Sequence, residues 1–301
     1  MTLNWKGIFL WSNQFYGICA VLLTIESNLL LLHKMPNIIL LLFIHLSTVV
    51  YYTHAYLQEV HGGIYDERSK WYQNNRKYLV IRQLMYTSIC IWIGCIKFDL
   101  LKIFSQSSLW MQLIICISIF ISVIYYLPTF PFRSLKSIRD KGLLKSLSIS
   151  WVWSIVCCVF PIWFELRENL THLLSTYIFW NHFIFLFFFI LVLAILFDIK
   201  DLYRDKNELV NTIVARHGID FTIHKIIVPL LVFIFSFAII GYITHTNSMA
   251  QLIMNMVLLC LTYLVTRKII NFHSIHINLL LIDGLIMLKA LLSIFLWNFT
   301  I

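Results

Sequence analysis

Long apolar segments are the feature that most limits what this chain can fold into. Nine runs of about 18 or more mainly apolar residues follow one another along the 301 residues. In lipid, backbone polar groups must be bonded within the segment, so such runs form helices. The sequence predicts an all-α, multi-pass membrane bundle that forms a single integral-membrane domain over residues 1–301. The predicted spans are 7–32, 37–57, 79–103, 108–127, 143–164, 173–197, 223–243, 249–266 and 274–297.

Two of these spans contain polar interruptions. Ser12, Asn13 and Gln14 lie within the first span, and Lys97 and Asp99 lie near the end of the third. None of these residues is a proline, so we expect the helix to continue in both places. The seven cysteines fall in apolar spans without a C-x-x-C pair, and a zinc or redox role is not expected.

The distribution of basic residues predicts how the chain crosses the membrane. A net charge of +9 would also suit nucleic acid, but Lys and Arg collect in alternate loops, as the positive-inside rule describes. We therefore expect a lipid bilayer and no nucleic acid as partner, with the N-terminus cytoplasmic and the C-terminus external. With that orientation only five of the 23 Lys and Arg residues lie outside: Lys34, Lys97, Lys102, Arg167 and Lys289.

The segment FDIKDLYRDK, residues 197–206, ends the sixth span with three acids. On a helix Asp198, Asp201 and Asp205 fall within about 60° of one another, while Lys200 and Arg204 point to the other side. Acids at a helix C-terminus are unfavourable unless a positive charge joins them. Mg²⁺ is one candidate, since it binds carboxylate oxygens and phosphate. A solvated stretch in which acids and bases neutralise each other explains the spacing as well.

Polar residues concentrate in three loops on the expected cytoplasmic side, 58–78, 128–142 and 198–222. We expect these loops to cap a common site. Their basic side chains would suit a metal-bound diphosphate. As an alternative, they serve only as orientation signals that attract anionic lipid.

The acidic segment and its context resemble the UbiA superfamily of membrane-embedded prenyltransferases. Asp198-Ile-Lys-Asp201-Leu-Tyr-Arg-Asp205, followed by the 211–218 stretch ending at Gly218, is similar to the family's second aspartate-rich motif. The fourth loop, with Tyr126, Pro128, Arg133 and Lys136, is loosely similar to another family motif. The nine spans also fit this UbiA-like architecture.

The resemblance implies transfer of a prenyl group from a polyprenyl diphosphate to an aromatic or lipid-like acceptor, at the cytoplasmic side of a bacterial membrane. Mg²⁺ would be the cofactor, held by Asp198, Asp201 and Asp205. The implied diphosphate-binding residues are Arg68, Lys70, Arg133, Lys136 and Lys200.

The first aspartate-rich motif of the family is altered in this chain. His54, Gln58 and Gly62 stand where Asn, Asp and Asp are expected, and Glu59 or Asp66 would have to supply oxygen ligands. Either one metal ion binds, or basic residues hold the diphosphate, or prenyl transfer has been lost in a non-catalytic relative. A transporter is a further alternative, which predicts ionisable residues at mid-membrane; we expect few of them here.

Overall fold

The computed structural model describes residues 7–59, 67–126, 142–166, 173–202, 212–269 and 275–297. Throughout these ranges the regular structure is helical. After a π-helical turn at Gly7–Trp11, twelve helices follow in the described part. They are α1 (Gln14–Leu32), α2 (Ile38–Glu59), α3 (Glu67–Asn74), α4 (Arg76–Lys97), α5 (Leu100–Gln106), α6 (Leu109–Tyr126), α7 (Gly142–Leu166), α8 (Tyr177–Lys200), α9 (Ile213–His217), α10 (Ile219–Ile243), α11 (Met249–Lys268) and α12 (Ile275–Trp297).

Within the described residues, eight helices are long and apolar enough to cross a membrane, and α6 contributes a shorter apolar helix. The predicted all-α, multi-pass helical bundle is confirmed. Polar α3, which lies inside the predicted loop 58–78, was not expected to be helical. It is anchored by its buried aromatic residues Trp71 and Tyr72.

The burial of the helices shows which of them form the interior of the bundle. The apolar window of α8 is 72% buried and that of α1 is 67% buried, whereas α4 and α11 are each only 22% buried. α8 is apolar on all sides, as expected for a central helix. It packs against α7 and α10, and α1 packs against α2, α7 and α12. The peripheral helices leave large apolar side chains exposed, as lipid contact requires.

Two predicted continuous helices are in fact broken. Asn13 takes a left-handed conformation with φ of 65°, so α1 begins only at Gln14. Asp99 does the same with φ of 51°, which separates α4 from α5. Asn and Asp tolerate this conformation better than most residues. The prediction that neither interruption breaks its helix was wrong.

Side chains of α3 and α4 satisfy the backbone at the break before α1. Arg68 donates to the Trp11 carbonyl at 3.2 Å and to the side-chain oxygen of Asn13. Its guanidinium lies 3.6 Å from the ring centroid of Tyr56. Tyr72 also donates to the Trp11 carbonyl, at 2.9 Å, and burial raises the pKa of Tyr72, which keeps this donor protonated. The break is therefore a fixed element of the fold.

Replacing Arg68 by methionine should lower the free energy of unfolding by about 3 kcal/mol, because the buried Asn13 oxygen loses its donor and Tyr56 loses a cation. Reversible unfolding in mixed detergent micelles measures this change. Lys70→Met is the matched control, since Lys70 is exposed on the same helix and should be replaced with little effect. Equal effects of the two substitutions would contradict the role of Arg68.

Candidate functional site

A cavity lies between α1, α2, α6, α7, α8 and α12, at the end of the bundle where α8 ends. Its volume is about 110 Å³. We call it the acidic cavity, because Asp198, Asp201 and Asp283 line it together with Lys145 and Lys200. The other lining residues are mostly aromatic or apolar: Tyr16, Tyr52, Tyr56, Tyr125, Ile149, Trp153, Ile190, Leu193, Ala194, Phe197 and Ile286.

Asp198 is fully buried in the last turn of α8. The Lys145 ammonium, near the start of α7, lies 2.7 Å from Asp198 Oδ1. The Ser146 hydroxyl donates to Asp198 Oδ2 at 3.2 Å. A buried carboxylate needs such partners, because removing one from water costs several kcal/mol. The positive charge expected at this helix end is thus supplied, in the described structure, by a lysine from a neighbouring helix.

Asp201 follows the last residue of α8 and lines the same cavity as Asp198. Its Oδ1 atom lies 3.2 Å from the Lys200 ammonium. The prediction that Lys200 points away from the acids was wrong. Asp201 leaves the helical conformation, with ψ of 5°, so the spacing of 100° per residue does not extend to it.

Asp283 is a functional candidate that the sequence analysis missed. It lies in α12 and is only 2% exposed. Asp283 Oδ1 has no hydrogen-bond partner among the described residues. An acid within an apolar span is costly and therefore often functional, and this signal was present in the sequence.

The predicted diphosphate-binding residues are only partly brought together. Lys200 lines the acidic cavity, whereas Lys70 is exposed on α3. Arg68 is only 3% exposed and is bonded to the helix break, so it does not line the cavity. A contact of Arg68 or Lys70 with diphosphate stays a prediction. Arg133 and Lys136 lie outside the described residues, as does the loop segment 127–141.

The altered first motif contributes no described side chain to the cavity. His54 is exposed on α2 and is not a lining residue. The nearby cavity residues of α2 are Tyr52 and Tyr56. Gln58 and Glu59 belong to the last turn of α2, but their side chains are outside the described part, as is all of Asp66.

A second, more apolar cavity adjoins the acidic cavity, and we call it the aromatic cavity. Its volume is about 230 Å³. Tyr52, Tyr125, Ile149 and Trp153 line both cavities. Trp153 Nε1 donates to the Tyr52 hydroxyl at 2.7 Å, which fixes the shared wall. The remaining lining residues are Ala20, Ser47, Thr48, Tyr51, Ile121, Ser122, Ser148, Val152, Val156 and Cys157. The pair of cavities therefore suits a molecule with a charged head and an apolar tail.

The carboxylates of the acidic cavity fit a hard divalent cation by their chemistry, since Mg²⁺ prefers oxygen ligands. Asp283 Oδ1, which has no hydrogen-bond partner among the described residues, is one oxygen available as a metal ligand. In the described ranges, no three His, Cys, Asp or Glu side chains are grouped closely enough to share a metal ion. Asp205, the third predicted ligand, lies outside those ranges, so the three-aspartate site stays a prediction.

Another buried ion pair lies towards the opposite end of the bundle. Lys289 Nζ in α12 is 2.6 Å from Glu26 Oε1 in α1, and the two side chains are 3% and 2% exposed. The sequence analysis assigned Lys289 to the external side and expected few charges within the spans. Both stay predictions, and the sequence did not reveal the ion pair, because the partner of Lys289 lies 263 positions away.

In comparisons with known proteins, no family model matches the chain, and no curated protein or solved structure matches it. The likeness to the UbiA superfamily therefore rests on the motif residues named above.

Proposed function

We propose that the chain transfers a prenyl group from a polyprenyl diphosphate to an acceptor that enters the acidic cavity. The observation that carries this proposal is the wall shared by the acidic and aromatic cavities. A polyprenyl diphosphate has a charged head and an apolar chain. The head would lie in the acidic cavity and the chain in the aromatic cavity. The acidic cavity would face the cytoplasm.

The charged residues of the acidic cavity would drive departure of the diphosphate, which takes the electron pair of the breaking C–O bond. Lys145 and Lys200 would hold its negative oxygens. Mg²⁺, bound by Asp198, Asp201 and Asp205, would supply further positive charge to the leaving group. These two lysines already lie beside Asp198 and Asp201, so the diphosphate and the metal-binding acids would be neighbours.

The aromatic wall would stabilise the allylic cation that remains. Tyr16 stacks on Tyr52 with ring centroids 4.6 Å apart, and Trp153 bonds to the same tyrosine. Their ring faces attract a cation and exclude water that would quench it. The prenyl acceptor then forms a bond to the allylic carbon and loses a proton. We infer that Asp283 Oδ1 takes up this proton, because that oxygen has no hydrogen-bond partner among the described residues.

Thermal stability of the detergent-purified chain tests the donor site. A non-hydrolysable thiolodiphosphate analogue of a polyprenyl diphosphate is added with and without Mg²⁺. A rise in Tm that requires both supports the proposal. Folded protein that shows no such rise would instead favour a non-catalytic relative.

Replacing Trp153 by leucine should weaken binding of the polyprenyl analogue about tenfold, because the chain loses an aromatic wall. Inorganic diphosphate, which lacks the chain, should bind as before. Calorimetric titration of both compounds gives the two affinities. Trp151→Leu is the matched control: Trp151 lies two residues away, donates to Ser118 at 3.0 Å and lines neither cavity. The assignment of the aromatic cavity fails if both variants bind the analogue equally.

Transport is the second candidate function, and the buried charges favour it. Glu26, Asp283 and Lys289 all lie within apolar helices and are at most 3% exposed, as is common along substrate paths in transporters. Ion or solute flux into liposomes containing the chain, without consumption of a prenyl donor, would support this candidate over prenyl transfer.

A further inference from the structure

A third cavity lies at the end of the bundle opposite the acidic cavity. It is formed where α1 and α12 end and where α8 and α11 begin. We call it the amide cavity, because Asn181, Asn247, Gln251 and Asn255 line it. On α12, Lys289 lines the amide cavity and Asp283 lines the acidic cavity, about 9 Å apart along the helix axis. The amide cavity is therefore separate from the proposed prenyl-transfer site.

The buried ion pair of Glu26 and Lys289 lines this cavity. Lys289 satisfies Glu26 Oε1 at 2.6 Å, but Glu26 Oε2 has no hydrogen-bond partner in the described structure. A buried carboxylate oxygen without a donor is unfavourable, because it has lost its hydrogen bonds to water and gained none from the protein. The side chain that carries it is 98% buried, since only 2% is exposed. A molecule that donates a hydrogen bond into the cavity would remove this cost.

The rest of the lining offers both hydrogen-bond donors and acceptors next to apolar surface. The side chains of Asn247 and Asn255 line the cavity, and an amide can donate and accept at once. Leu30 and Phe185 add apolar walls. The volume of about 70 Å³ holds a small polar group or a few water molecules.

We propose that the amide cavity binds an uncharged hydroxyl-bearing group, whose O–H donates to Glu26 Oε2 and whose oxygen accepts from the amides. Charged ligands fit less well. A cation beside Glu26 would be repelled by the Lys289 ammonium, and an anion would be repelled by the Glu26 carboxylate, both at low dielectric. The hydroxyl group belongs either to the head of a neutral lipid or to a free polyol.

Native mass spectrometry of the full chain, released from detergent, tests this site. The chain is equilibrated separately with dioctanoylglycerol, with its O-methyl ether and with glycerol. We expect one retained dioctanoylglycerol and at least tenfold weaker retention of the ether, which lacks the donor. Retention of glycerol instead would also support the site and would identify a free polyol as its source.

Two variants show whether binding occurs in the amide cavity. Glu26→Leu combined with Lys289→Met removes both charges at similar side-chain volume. This preserves folding better than a single substitution, which would leave one buried charge without its counter-ion. Asn255→Leu fills the cavity and leaves the ion pair intact. Both should abolish retention.

Three results would overturn the proposal. The first is that neither dioctanoylglycerol nor glycerol is retained, as expected of a cavity that holds only water. The second is equal retention of dioctanoylglycerol by both variants and the unmodified chain. The third is equally tight retention of dioctanoyl phosphatidate, which would contradict the preference for an uncharged head.

Discussion

Lys145→Met is expected to lower the free energy of unfolding by about 3–5 kcal/mol, because it leaves the buried Asp198 carboxylate without its counter-ion. Asp198 is fully buried and lies 2.7 Å from the Lys145 ammonium. Among the described residues, the Ser146 hydroxyl then remains as its hydrogen-bond partner, and it carries no charge. Equilibrium unfolding in mixed micelles, followed by circular dichroism, measures the loss.

Two comparisons separate this effect from a general loss of a lysine. Lys34→Met breaks an ion pair of similar length, 2.6 Å to Glu165, but Lys34 is 49% exposed, so we expect a loss of at most about 1 kcal/mol. Combining Lys145→Met with Asp198→Leu removes both buried charges and should restore most of the stability. If Lys145→Met and Lys34→Met lower the free energy of unfolding equally, Asp198 is not a charged residue paired with Lys145.

Asp201→Asn is expected to weaken Mg²⁺-dependent binding of a polyprenyl diphosphate on the order of 100-fold, because a carboxylate ligand becomes a neutral amide. Asp201 is the more exposed of the two described acids that end α8, at 31% against 1% for Asp198. It is therefore the one that a metal ion reaches more easily. Titration of the thiolodiphosphate analogue at several Mg²⁺ concentrations gives the affinity.

Arg204→Gln serves as the control for Asp201→Asn, since it removes a charge from the same segment without removing a carboxylate ligand. It should change the Mg²⁺ dependence only slightly. If the two substitutions weaken binding to the same extent, the acidic segment does not act as a metal site. In that case the alternative of a solvated stretch with mutually neutralised charges would explain the sequence better.

The sequence predicted the helical bundle well, because long apolar runs permit few structures in lipid. It did not predict the breaks at Asn13 and Asp99, which involve neither proline nor glycine. The break at Asn13 depends on Arg68, a residue from a distant helix. Such a contact leaves no local signal.

The candidate site was predicted in part. Asp198 and Asp201, which the sequence analysis grouped by their helical spacing, line one cavity, but the spacing could not reveal Lys145, which belongs to another helix. Asp283, Glu26 and Lys289 were visible as single charges in apolar runs. Their partners depend on how the helices pack, so their roles required the three-dimensional structure.

Release of diphosphate tests the central claim most directly. The purified chain in nanodiscs is incubated with a radiolabelled polyprenyl diphosphate and Mg²⁺, and free diphosphate is measured with and without membrane-extracted acceptors. Prenyl transfer predicts Mg²⁺-dependent release that increases with acceptor and is lost in Asp201→Asn. A folded chain that leaves the prenyl diphosphate intact under all these conditions would contradict it.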